Sequence, residues 1–146
     1  MGRSIKTSIS IGASRSRVWA VLIDFARYPE WNPFIRRITG EARAGATLEV
    51  VIQPPGRKAD TFRPRVIEVE RERQFVWRGS LPIPGLFAGE HSFELRDEAG
   101  GTRFEQAESF SGLLVPFVGG ILAATQLGFE SMNRALKAQV EGPQVR

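Results

Sequence analysis

His91, Gln106 and Glu108 are the polar residues of this chain whose types and spacing suggest chemistry. His91 is the only histidine among 146 residues. It shares one side of a stretch with Phe93 and Leu95, while Glu94 and Arg96 take the other side. That alternation is the period of a half-buried strand. In the following stretch Phe104, Gln106, Glu108 and Phe110 share a side, with Arg103 and Glu105 opposite. A polar group buried without a partner costs on the order of 1–3 kcal/mol. A face needed only for packing would avoid three of them. Among aromatic side chains such groups suit two tasks. They can orient the polar end of an apolar ligand. They can also move a proton, with His91 as acid or base and Glu108 orienting it, which makes these two the candidate catalytic residues. The structural alternative is that His91 and Glu108 pair across a hairpin and do nothing else.

Composition narrows the chemistry. There is no cysteine, so disulfides and thiol nucleophiles are excluded. One histidine excludes a zinc site built from several, and no Asp/Glu cluster has metal-ligand spacing. No glycine-rich phosphate loop appears. The sequence therefore predicts neither metal nor cofactor. Hydrophobic content of 42% and charged content of 25% are those of a soluble globular protein. The length fits a single domain over 1–146 with a sizeable core. The net charge of +4 comes from arginines scattered singly and in pairs, so no nucleic-acid partner is expected. Residues 1–11 have no apolar signal segment. Residues 109–129 carry no charge, but Pro116, several glycines and an amphipathic stripe argue against stable membrane insertion. The expected location is cytoplasmic, and the expected state a monomer or weak homodimer.

The elements that must position the polar trio follow from periodicity. Residues 4–11 alternate, with Ile5, Thr7, Ile9 and Ile11 on one side. Ser14 is a plausible N-cap for a helix over 15–25. Tyr28-Pro29-Glu30-Trp31-Asn32-Pro33 should break it. Strands are predicted over 35–42, 47–53, 60–70, 74–80, 89–97 and 102–111, with a loop at 81–87 and a hairpin across Ala99-Gly100-Gly101. From Pro116 to about Glu141 one helix is expected. Val118, Ile121, Leu122, Thr125, Phe129, Met132, Leu136 and Val140 form its apolar stripe. Short connections imply antiparallel neighbours. The class is α+β: a seven-stranded curved antiparallel sheet wrapped around a long C-terminal helix, with a short helical segment between the first two strands.

Counting by twos places Phe62, Phe75, Trp77, Phe93, Phe104 and Phe110 on the concave face with the polar trio. The expected result is a cavity between sheet and helix. Leu122 and Phe129 would close it from the helix. These residues, Phe75 apart, form the candidate ligand-binding set. Gly128, in mid-helix, costs up to about 1 kcal/mol relative to alanine and implies close packing there.

The order of elements resembles that of the START-like superfamily, also called SRPBCC, the polyketide cyclase/dehydratase and lipid-transport group with a helix-grip fold. Ser14 to Trp19 and the run Asp24-Phe25-Ala26-Arg27-Tyr28-Pro29-Glu30-Trp31-Asn32-Pro33-Phe34 are similar to that group's first helix and the segment after it. Pro84-Gly85-Leu86-Phe87-Ala88-Gly89-Glu90-His91, Glu108-Ser109-Phe110-Ser111-Gly112 and Met132-Asn133-Arg134-Ala135-Leu136-Lys137 resemble a bacterial branch of unknown function. The resemblance implies a cavity with its mouth near 31–34 and 81–87, which puts Trp31 and Phe34 at that mouth and adds them to the candidate ligand-binding set. It also implies one of three roles. The first is binding or transport of a small hydrophobic molecule, lipid or polyketide-like. The second is a cofactor-free polyketide cyclase/dehydratase using His91 and Glu108. The third is a chaperone-activator-like interaction module.

Overall fold

The computed structural model describes residues 2–83 and 85–143. Pro84, inside the loop expected over 81–87, lies outside the described residues, as do Met1 and residues 144–146. Strand β1 (Gly2–Ile11) buries Ile5, Thr7 and Ile11. Ser14 caps α1 (Arg15–Leu22), its hydroxyl accepting from the Arg17 N–H at 3.2 Å. The cap satisfies an N–H that has no partner inside the helix.

The helix expected over 15–25 ends at Leu22, and Phe25–Arg27 forms a separate 3-10 turn. Tyr28–Trp31, expected as a break, is a helical turn, α2. Pro29 fits there because the first turn of a helix needs no N–H from it. The Tyr28 hydroxyl donates to the Leu22 carbonyl and ties α2 back to α1.

Among the described residues seven strands follow β1, making eight: β2 (Ile35–Thr39), β3 (Glu49–Ile52), β4 (Asp60–Phe62), β5 (Arg65–Glu70), β6 (Gln74–Ser80), β7 (Ala88–Glu98) and β8 (Gly101–Ser111). One sheet runs β1-β8-β7-β6-β5 and a second β2-β3-β4, antiparallel throughout. The single strand expected over 60–70 is broken into β4 and β5 at Pro64, which has no N–H to give a ladder. The two sheets stay joined at this point. Thr47 bridges Arg65, the Leu48 N–H donates to the Pro64 carbonyl at 2.9 Å, and the Val66 N–H donates to the Ala46 carbonyl at 2.8 Å. The expected seven strands become eight through this one bend.

The long helix, α3 (Gly119–Glu141), starts later than Pro116, because Val115–Phe117 closes a 3-10 turn first. Leu122, Phe129, Met132, Leu136 and Val140 are buried against the sheet and α1. Ile121, counted in the same stripe, is 48% exposed. At the far end Glu141 accepts from the Gly12 N–H and from the Lys137 ammonium, each at 2.6 Å. These bonds, Gly12 first, hold its carboxyl below the usual range. The helix is thus pinned at its C-terminal end. No helix among the described residues is long and apolar enough to cross a membrane.

Candidate functional site

Strand register sets the concave face in rows. One row pairs Leu95 with Phe104 and Phe104 with Ile9. The next pairs Phe75, Phe93, Gln106 and Thr7 in succession. A third runs Val66, Trp77, His91, Glu108 and Ile5. The fourth pairs Gly79 with Gly89 and Gly89 with Phe110. In that last row two neighbouring positions lack side chains. Above them lies a cavity of about 430 Å³, partly open to solvent, which Gly79 and Gly89 both line. A drug-sized ligand occupies sites of roughly 300–1,000 Å³.

The cavity wall contains seven residues of the predicted set: Phe34, Phe62, Trp77, His91, Glu108, Phe110 and Leu122. Loop residues Leu81 and Phe87 and helix residues Ile121 and Thr125 complete the mouth, with Arg57, Lys58 and Arg63 on its rim. Phe62 is 49% exposed there. Phe93, Phe104, Gln106 and Phe129 lie behind the wall, not on it. Phe93 stacks on Phe104 at 6.0 Å, and Phe129 meets Phe34 edge-on at 5.6 Å. Trp31 is also away from the cavity, packed on Tyr28 at 5.1 Å. Its neighbour Asn32 accepts from the Phe34 and Ile35 N–H groups at 3.0 and 2.8 Å, which turns the chain so that Phe34 points inward. Phe34 then occupies the space where a Gly128 side chain would stand.

The polar trio is brought together. His91 and Glu108 face each other in the β7–β8 ladder, with His91 Nδ1 and Glu108 Oε1 3.3 Å apart. His91 Nε2 and Gln106 Oε1 are 2.9 Å apart. The histidine is buried, whereas the Glu108 side chain is 18% exposed and forms the end that meets the cavity. Glu108 lies over the glycine at position 89: a β-carbon there would stand on Glu108 Oε2, so the carboxylate in this position needs that glycine or a shift of its own. Rings of Trp77, Phe93 and Phe129 surround the imidazole, their centres 4.9, 4.6 and 4.9 Å from its own.

Two partners were not picked out from sequence. The Gln106 amide donates to Asn133 Oδ1 at 2.9 Å and lies 3.5 Å from the Phe129 carbonyl. The Asn133 amide donates to Thr7 Oγ1 at 2.9 Å, and the Thr7 hydroxyl donates to the Gln106 carbonyl at 3.2 Å. Both residues are buried. The available signal was position: Thr7 shares a side with three isoleucines, and Asn133 falls four residues after Phe129 and three before Leu136 on the apolar stripe. A polar residue at such a place needs a buried partner.

Comparison with known proteins agrees with this architecture. The aromatase/cyclase Zhui from Streptomyces sp. R1128 superposes with a TM-score of 0.78 at 14% identity, covering 97% of this chain and 94% of that one. Protein MLL2253 from Mesorhizobium loti gives 0.72 at 17% identity, with 94% and 96% covered. DynU16, a putative protein in the dynemicin biosynthetic locus, gives 0.72 at 22% identity; 94% of this chain corresponds to 47% of DynU16. At these identities the likeness is one of fold. No curated protein matches in sequence. Residues 3–141, however, match the sequence profile described as polyketide cyclase / dehydrase and lipid transport, and the chain belongs to that family.

Proposed function

We propose that this protein binds or carries a small hydrophobic molecule, lipid or polyketide-like, in the cavity between sheet and α3. One observation carries the reading: a half-open, mostly apolar space with the carboxylate of Glu108 on its sheet wall beside His91, while its other charged lining residues, Arg57, Lys58, Asp60 and Arg63, come from the β3–β4 side. Affinity would come from apolar burial, worth roughly 25 cal/mol per Å², and Glu108 would orient the ligand's polar end. Family membership supports a role of this kind, since the family's description couples cyclase/dehydrase activity with lipid transport.

The His91–Glu108 contact favours a second reading, a cyclase/dehydratase that uses the pair for proton transfer. A fluorescent apolar probe, followed by native mass spectrometry of protein purified from its own host, tests the first reading. The expected result is a saturable probe signal that co-purified ligand competes away and that Trp77→Ala weakens. No saturable probe binding, with no retained mass, would end it. Under the second reading His91→Ala abolishes turnover of a poly-ketone substrate and leaves probe binding intact.

A further inference from the structure

We propose that Thr7, Asn133 and Gln106 act as positioning residues that fix a proton on His91 Nε2. A further proton is then held between His91 Nδ1 and Glu108, and Glu108 is the more exposed end of that pair at the cavity.

Two backbone carbonyls set the direction of the chain, because a carbonyl can only accept. The Gln106 carbonyl takes the Thr7 hydroxyl proton, so Thr7 Oγ1 is left to accept from the Asn133 amide. Asn133 Oδ1 then faces Gln106 Nε2, which also points at the Phe129 carbonyl. Gln106 therefore turns Oε1 toward His91, and an oxygen acceptor at 2.9 Å requires an N–H on Nε2. Reversing both amides would put oxygen against the Phe129 carbonyl and leave the Gln106 carbonyl without its hydroxyl donor.

With Nε2 protonated, a neutral imidazole has a bare Nδ1. A bare Nδ1 facing an ionised carboxylate at 3.3 Å would set lone pair against lone pair. One proton must lie between them. It sits on Nδ1, giving imidazolium and carboxylate, or on Glu108, giving imidazole and carboxylic acid. Passing between these forms breaks one N–H bond and makes one O–H bond, with no change in net charge. The arrangement is the reverse of one in which Glu108 accepts from Nδ1–H while Nε2 serves as the free base. Here Nε2 is committed to the protein interior.

This assigns a class to the ligand's inner end, a point that rests on the binding function proposed above. The dyad is neutral as a whole, so it does not balance a ligand carboxylate or phosphate. A carbonyl or hydroxyl oxygen fits beside Glu108.

The test uses the full chain labelled with ¹⁵N at its only histidine, so every imidazole signal belongs to His91. Proton-coupled NMR of the unliganded protein should show a proton on Nε2. In Glu108→Gln the Nε2 proton should persist while Nδ1 loses its own, because the glutamine amide can donate to it. Thr7→Val should lower the share of His91 that carries a proton on Nε2, and Thr7→Ser should restore the wild-type pattern. A bare Nε2 in the wild type, or a bare Nδ1 opposite a Glu108 carboxylate shown by ¹³C shift to be ionised, overturns the proton placement. An unchanged tautomer in folded Thr7→Val overturns the positioning role. None of these readouts needs a ligand, so their failure is separable from failure of the binding function. For the ligand, Glu108→Gln should change the affinity of an apolar ketone probe more than that of the matching fatty acid, and the opposite order overturns the assignment.

Discussion

The two ends of the space between sheet and α3 are built from the same strands and end differently. Toward the C-terminus of α3, Phe75, Phe93 and Phe104 from three neighbouring strands are buried in one core with Phe129 and Leu136. The rings continue through Phe25, stacked on Phe75 at 5.9 Å, to Tyr28 at 5.7 Å from Phe25. Toward the N-terminus of α3, the corresponding row is Gly79, Gly89 and Phe110, and the space stays open. Between them stands the Trp77–His91–Glu108 row, backed by the core on one side and lining the cavity on the other. Sheet geometry is common to both ends, so side-chain volume in single rows decides where a core stops and a cavity starts.

The sharpest contrast comes from truncating an aromatic at the closed end. Phe129→Ala should lower stability by about 3–5 kcal/mol in urea unfolding, because rigid neighbours cannot collapse onto the void. A loss under about 1 kcal/mol would mean the closed end is loosely packed. Alkaline titration probes the same end through Tyr28, the only tyrosine. Burial, with Asp24 as a lesser cause, pushes its phenol far above the ordinary value. The folded state then keeps a proton that the unfolded chain releases near pH 10. The stability from this site is complete below that pH and falls by about 1.4 kcal/mol per unit above it. Tyrosinate absorbance should therefore appear only together with unfolding, as followed by circular dichroism; ionisation of the folded protein near pH 10 would contradict the burial.

Glycines separate the two ends further. Gly128→Ala would normally gain about 1 kcal/mol in a helix. Here the new methyl lands on the Phe34 ring, so a loss of about 1–3 kcal/mol is expected, with weaker probe binding as Phe34 is driven into the cavity. Gly79→Val should do the reverse. A β-carbon there meets only Pro64 at 3.8 Å, so stability should hold or rise by about 0.5–1 kcal/mol while probe binding falls. A destabilised Gly79→Val would show that the open row is not spare volume. The smallest effect is expected at the mouth. Phe62→Ser should change stability by less than about 0.5 kcal/mol, because the ring is half exposed already, yet still weaken an apolar probe.

Much of this was legible in the sequence, residue by residue. Alternation put His91, Gln106 and Glu108 on one face, and ladder register brings them within contact. The bend at Pro64 could have been foreseen, since proline gives no ladder hydrogen bond. It was not separated from a continuous strand because Phe62, Pro64 and Val66 keep their period across it. The stripe on α3 was right in its C-terminal part and misleading at Ile121, which faces the opening. Periodicity reports which residues share a face; it does not report whether anything covers that face.

What the chain determined alone is therefore local and periodic: the strands and their faces, the cap at Ser14, the long helix, and the placing of three polar groups among aromatics. What only the tertiary structure decided is depth and direction. The Gly79–Gly89 pairing that hollows out one row depends on the register of two separate strands, and the Thr7–Asn133–Gln106 chain behind His91 joins residues far apart in sequence. Alternation and helical period act over a few residues, whereas a cavity and a buried hydrogen-bond chain exist only once separate elements are brought to contact distance.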